Sequence, residues 1–400
     1  MLKNKKILFM GITLCLLFVI TVLFGGNIKL KDSGLQDGMV SKDESDNNYI
    51  DLIIDDENEN VTEDDTEEAE ITSIIDSMTL EEKVGQLFFV KNDNRFDESI
   101  LDEYPFGGII IFASDCKGET KESFTNKIDL LRQKSKYPLF IGIDEEGGSV
   151  TRLSQYRALS EKKYQSPRQV YASGGMDAIK EDTIEKSKLL LSYGINVNFA
   201  PVADVTQKSS QYMYQRSFSG DAVEVAEYID LVVTTMNEEK IGSVVKHFPG
   251  YGGNGDTHKN VIHDKRKYEE FEESDFLPFV AAIQADAQCI LISHNVVECI
   301  DEENPASLSY KVHALLRNEL GFNGVIITDD LMMDGVSNYV SAKDSAVMSI
   351  LAGNDMILST DYKVQYQAVL DAVSEGRIDE ERIEESVRRI LRWKKHIGIM

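Results

Sequence analysis

Short, mostly β-branched apolar runs recur along the chain, each followed by a longer stretch whose apolar positions repeat at helical spacing. The runs are LFFV from residue 87, GIIIF from 108, PLFIGID from 138, VNFAPVADV from 197, VVKHF from 244, ILISH from 290, GVIITDD from 324 and DMILST from 355. A strand that is continuously apolar, not alternating, is buried on both faces, the mark of a parallel sheet covered by helices. Eight such units predict an α/β fold closed into a (β/α)8 TIM-type barrel; a doubly wound open sheet is the other arrangement with this rhythm. Thr79 followed by Glu82 predicts a capping box that opens the helix LEEKVGQL. Near the C-terminus, DEERIEESVRRILRWKK sets Ile383, Val387, Ile390 and Leu391 on one helical face. One barrel domain over residues 71–400 is expected.

The N-terminal part follows a different pattern. Residues 7–24 are eighteen uncharged, mainly apolar positions preceded by Lys3, Lys5 and Lys6, the layout of an export signal or a membrane anchor. The positive-inside rule puts everything downstream outside the cytoplasm. The length of the run favours an uncleaved anchor, residues 1–26, over a cleaved leader and a secreted product. Cys15 follows Leu14, where a lipoprotein signal would carry a small residue, so lipidation is not expected. Residues 27–70 are polar and acidic, and read as a disordered linker with a random-coil reach of about 35–40 Å.

Charge changes the picture less than it first suggests. The formal net charge is −27, but fourteen acids and no Lys or Arg fall within residues 43–70, so about half of that charge belongs to the linker. The rest is still acidic, without the clustered Lys and Arg that a nucleic-acid partner requires. With 42% hydrophobic and 28% charged residues, the chain has enough apolar material for a large core. Cys116, Cys289 and Cys299 are too widely spaced for a disulfide framework or a zinc site and read as buried small hydrophobes, one bridge remaining possible. No zinc-like ligand spacing appears, and the glycine-rich segment after residue 249 lacks the Lys-Ser/Thr ending of a P-loop. Neither metal nor cofactor is expected.

In a parallel barrel, functional groups collect where strands end, so the residues after each apolar run matter most. The third run ends in Asp144 and continues Glu145-Glu146-Gly147-Gly148; the fourth reaches Asp204; the fifth contains Lys246 and His247; the sixth ends in Ser293 and His294; the seventh ends in Asp329 and Asp330. Any one acid here has an equally good structural reading as a helix N-cap. Lys and His are not N-caps, and several charges at one mouth need partners or a polar ligand.

IDEEGGSVTRL from 143, NFAPVADV from 198, RSFSGD from 216, KHFPGYGGNGDTH from 246 and GVIITDDLMMDGV from 324 resemble, in order and spacing, the motif series of glycoside hydrolase family 3 in its single-domain β-N-acetylglucosaminidase branch. The resemblance runs from about Leu80 to the C-terminus. It implies a retaining exo-β-N-acetylglucosaminidase with Asp329 as nucleophile, His258 as acid and base, and Asp256 orienting that imidazole. It further implies that Asp144, Arg152, Arg216, Lys246 and His247 hold the sugar. Alternation along the strand is expected to turn Asp330 away from Asp329. Asp204 and His294 are read as supporting groups. Two positions depart from the family pattern: Tyr251 replaces a usual histidine, and Thr257 a usual serine, which leaves leaving-group preference open.

The implied partner is a carbohydrate, an N-acetylglucosamine-containing glycan or muropeptide, with peptidoglycan turnover as the setting for an extracytoplasmic, membrane-anchored enzyme. Alternatives are an N-acetylglucosaminide phosphorylase, a β-glucosidase, and an anchored barrel that binds glycan without catalysis. Oligomeric state is not legible in the sequence.

Overall fold

A computed structural model describes residues 63–91, 98–257 and 260–400. The expected anchor at 1–26, most of the expected linker and His258 lie outside the described residues.

Eight parallel strands form a ring in chain order. They are β1 (Phe88–Lys91), β2 (Gly108–Ile111), β3 (Phe140–Ile143), β4 (Val197–Asn198), β5 (Gly242–Ser243 continuing as Val245–Phe248), β6 (Cys289–Ile292), β7 (Val325–Thr328) and β8 (Ile357–Ser359). Pairing runs β8-β1-β2-β3-β4-β5 and β5-β6-β7. A parallel bridge from Ile327 to Met356, at the entry to β8, closes the ring. The eight apolar runs therefore all become barrel strands, and closure excludes the open-sheet alternative. A short parallel pair, His263–Asp264 with Val296–Val297, lies outside the ring and was not anticipated.

The interior is filled with aromatic rings, and the small residues opposite them are what allow it. Phe89 stacks on Phe140 with centroids 6.1 Å apart and meets Phe199 edge-on at 5.1 Å. A Cβ added to Gly142 would sit 2.7 Å from both Phe89 and Phe199, and one on Gly108 would sit 2.8 Å from Phe89. Glycine at these two positions makes room for the ring. Trp393 then packs on Phe140 at 4.3 Å from the N-terminal side of the strands. That end is plugged, so any ligand must enter at the C-terminal mouth.

The main outer helices are α1 (Glu63–Ser77), α2 (Leu80–Gln86), α3 (Lys121–Lys134), α4 (Pro167–Ser192), α5 (Ala222–Glu238), α6 (Phe276–Gln284), α7 (Tyr310–Ala314), α8 (Ala342–Ala352), α9 (Tyr362–Ser374) and α10 (Glu380–His396). Thr79 caps α2 with the expected box. The four apolar residues expected on one face of α10 are all buried.

The expected linker boundary at residue 70 is corrected by α1, which begins at Glu63. Two of its acids are paired: Glu68 with Arg388 and Arg392, Glu70 with Lys395, the basic partners all on α10. Ile71 and Ile75 are buried. A composition that looks like a solvated spacer is helical here because the helix buries Ile71 and Ile75, while a basic helix, distant in sequence, pairs two of its acids. Among the described residues no helix is long and apolar enough to cross a membrane. The three described cysteines are free; Cys116 and Cys289 are buried as expected, whereas Cys299 is exposed.

Candidate active site

The mouth holds a cavity of about 480 Å³, within the ~300–1,000 Å³ of small-molecule sites. Asp144, Arg152, Arg216, Lys246, His247 and Asp329 all line it. Six of the eight residues singled out in the sequence thus meet in one place. Asp256 is on the loop after β5, half-buried, and hydrogen-bonds the Tyr212 side chain.

The three acids after β3 have three different environments. Asp144 accepts from Lys246 Nζ at 2.7 Å and from Arg152 Nη2 at 3.4 Å. Glu145 takes no part in the cavity. Its carboxylate accepts from the backbone N–H groups of Arg152, Leu153 and Ser154, pinning the loop that carries Arg152. Glu146 receives Arg216 through Nε at 2.9 Å and Nη2 at 2.7 Å, and lies 2.7 Å from Lys246 Nζ. Burial disfavours the Glu146 carboxylate, yet Arg216 and Lys246 outweigh it and hold the group well below the usual carboxylate range. Burial likewise opposes the Lys246 ammonium, and Asp144 and Glu146 raise it above its ordinary value. Asp144 and Lys246 therefore face a ligand as a fixed ion pair, and the Arg152 Nε–H is a buried donor with no acceptor in the structure.

Glu146 was not singled out in the sequence. β3 ends at Ile143, so the strand period does not reach Glu146, and nothing in local sequence marks it over Glu145.

Lys246 and His247 are neighbours on one strand, yet both line the cavity. A register shift between Lys246 and Phe248 against β6 inserts His247 as an extra residue, the geometry of a bulge; the Lys246–His247 peptide is cis. His247 Nδ1 lies 2.8 Å from Asp204 Oδ2, and Nε2 lies 3.3 Å from Arg216 Nη2. A guanidinium only donates, so Nε2 accepts and the proton on Nδ1 goes to Asp204. Asp204 also accepts from the Tyr251 backbone N–H at 2.7 Å, the supporting role expected of it.

Asp329 and Asp330 both line the cavity, contrary to the expected alternation. β7 ends at Thr328, so the strand period no longer applies beyond it. The two differ in their partners. The Asp330 N–H donates to Asp329 Oδ1 at 2.9 Å. The Asp330 carboxylate accepts from the Met332 N–H at 3.0 Å, and burial followed by the Asp329 charge pushes its pKa up. His294 bridges Ser307 and the Asp330 carbonyl, fixing this turn from behind.

The loop after β5 is braced at its base by groups that carry no motif. Arg266 pairs with Asp264 and Asp275 at 2.7 Å each, donates to the Gly250 carbonyl at 3.0 Å, and lies over the Phe271 ring. Its guanidinium occupies the space a Cβ on Gly252 would need, with Cζ at 2.4 Å from that position. Gly252 has φ of +53°, so glycine is required there twice over. Nothing in local sequence marks Arg266 or Asp275 for this. Among the described residues no cluster of His, Cys, Asp or Glu is arranged to hold a metal ion.

Comparison with known proteins adds a family. The chain is 32% identical over 329 residues to Beta-hexosaminidase A of Pseudoalteromonas piscicida, which covers 74% of this chain and 54% of that protein. It is 33% identical over 262 residues to a Beta-hexosaminidase of Nitrosomonas eutropha, covering 63% and 73%. Among solved structures, a glycoside hydrolase family 3 beta-N-acetylglucosaminidase from Paenibacillus sp. str. FPU-7 superposes with a TM-score of 0.76 at 31% identity, covering 81% of this chain and 63% of that one. The chain thus spans about half the length of the Pseudoalteromonas relative. The Glycosyl hydrolase family 3 N terminal domain model matches residues 79–393, the same stretch that folds into the barrel and carries the lined mouth, and this chain belongs to that family.

Proposed function

We propose that the barrel is a retaining exo-β-N-acetylglucosaminidase. The observation that carries this reading is Asp329: a carboxylate at the end of β7, one oxygen fixed by the Asp330 N–H, facing the same cavity as the Asp144–Lys246 pair and Arg152. An ionised carboxylate so placed attacks the anomeric carbon as the bond to the leaving oxygen breaks. The result is a glycosyl ester on Asp329. The leaving oxygen takes a proton from the imidazole of His258, oriented by Asp256. The neutral imidazole then accepts a proton from the water that cleaves the ester. Asp144 accepts from sugar hydroxyls, while Lys246, Arg152 and Arg216 donate, and His247 holds Arg216 in place.

The apolar N-terminal run supports a membrane-anchored enzyme facing outward, where peptidoglycan fragments are the natural source of terminal N-acetylglucosamine. Hydrolysis of chitobiose without release from muropeptides would remove that part of the proposal. So would loss of the protein from the membrane fraction, or its resistance to protease added to intact cells.

The central test uses a chromogenic N-acetylglucosaminide. Asp329→Ala is expected to lower kcat by at least about 10³-fold. His258→Ala is expected to slow chitobiose cleavage by about 10²–10⁴-fold and the nitrophenyl substrate less, because a good leaving group needs little protonation. Equal losses on both substrates would reject His258 as the acid. Product analysis with added phosphate separates hydrolysis from phosphorolysis.

A further inference from the structure

Two buried residues at either end of the glycine-rich loop after β5, Tyr251 and Thr257, touch each other. The Tyr251 hydroxyl and Thr257 Oγ1 are 2.5 Å apart and both residues are buried. Tyr251 is fixed at its other end, since its N–H donates to Asp204 and its ring stands edge-on to His247 at a centroid distance of 5.1 Å. That ring also forms part of the cavity wall. Thr257 is held a second time, because its carbonyl accepts from the Gly335 N–H at 3.0 Å, just beyond β7. Gly335 is close-packed there, a Cβ meeting the Thr257 carbonyl at 3.1 Å.

Between these residues the chain contains Gly252, Gly253 and Gly255, and glycine-rich backbone loses much conformational freedom when ordered. Arg266 secures only the base of the loop, at Gly250 and Gly252. The far end is joined to Tyr212 through Asp256 and to Gly335 through the Thr257 carbonyl, and the hydroxyl contact adds the tie to the Tyr251 side of the wall. Burial pushes the Tyr251 phenol above its ordinary range, so it stays a neutral hydroxyl.

We infer that Tyr251 and Thr257 form a positioning pair, a single hydroxyl–hydroxyl contact that fixes the Asp256 end of the loop against the wall formed by Asp204 and His247, and so sets the rate of the chemical steps. The inference rests on the proposed role of Asp256. Neither residue transfers a proton or touches the bond that breaks.

The test is a double-mutant cycle with Tyr251→Phe and Thr257→Val, which remove the hydroxyls while keeping shape, measured on chitobiose and the chromogenic substrate. Each single variant is expected to lower kcat about tenfold with KM changed less than twofold, and the double variant to be no worse than either single. The basic limb of the kcat/KM–pH profile is expected to shift in all three. Thr257→Ser, which retains the hydroxyl, is expected to stay within about twofold of wild-type kcat. Additive losses, wild-type kcat in the singles, or loss through KM alone would overturn the pair. An inactive wild-type enzyme, or an active Asp329→Ala, would instead overturn the glycosidase reading. If wild type is active, Asp329→Ala is dead and Tyr251→Phe is unaltered, only the positioning pair falls.

Discussion

Glu146 shows how one side chain organises a site it does not react in. Two cations, Arg216 and Lys246, converge on it in a pocket where its own side chain is 3% exposed. Removing one partner from a buried ionic cluster leaves uncompensated charge, at a cost of about 3–5 kcal/mol. Glu146→Gln is therefore expected to lose about that much in urea denaturation and to raise KM about tenfold, because Arg216 and Lys246 no longer hold their places. A variant with wild-type KM would show that the sugar-facing groups are fixed without it. The contrast with Glu145 is instructive. Adjacent in sequence and equally acidic, it serves the backbone N–H groups of Arg152, Leu153 and Ser154 and the Ser154 hydroxyl, and no cation. Residue type made these three acids candidates; which one meets which cation depended on the side of the chain each leaves.

At the scale of elements, α1 and α10 separate two forces. The pairs from Glu68 and Glu70 to Arg388, Arg392 and Lys395 join partly exposed side chains, and such pairs contribute only about 0–1 kcal/mol each and less in salt. Ile71, fully buried on the same helix, is worth about 2–5 kcal/mol on truncation to alanine. Ile71→Ala is accordingly expected to destabilise far more than Glu68→Ala or Glu70→Ala, and only the glutamate variants should converge with wild type in 1 M salt. Equal losses would mean the ion pairs, not the apolar face, hold the helix. Elements were legible in sequence where periodicity was strong, as in the eight strands and in α10. They were not where composition misled, because the acids at 63–70 read as a spacer, and both the burial of Ile71 and the basic partner about 320 residues from Glu68 come only from tertiary packing.

For the whole molecule, the plug under the barrel carries an electrostatic cost. Lys394 is fully buried, its ammonium donating to Gln86 Oε1 at 2.6 Å and lying 5.1 Å from the Phe140 ring centre. Burial pushes its pKa down to about 7, against about 10.4 in an unfolded chain. Between these values the unfolded state binds the extra proton, so this group makes stability rise with pH from about 7 to about 10. Below pH 7 both states are protonated and the burial penalty is constant. Lys394→Met is expected to be more stable than wild type at pH 6, by on the order of a few kcal/mol, with the gap closing towards pH 10. Urea denaturation across that range would show it, and a gap independent of pH would reject the assignment.

The sequence by itself determined the number and order of the strands and the chemistry at their ends. Burial on both faces leaves a continuous apolar signature, and parallel closure brings every strand end to one rim whatever the loops do. Asp144, Lys246 and Asp329 were readable for that reason. Tertiary structure alone decided the rest: that Asp330 faces the cavity beside Asp329, that Glu146 takes Arg216, that Arg266 braces the glycine loop, and that Tyr251 meets Thr257. Each of these depends on where the chain goes after leaving regular structure, and the hydrophobic period that encodes strands and helices says nothing about that path.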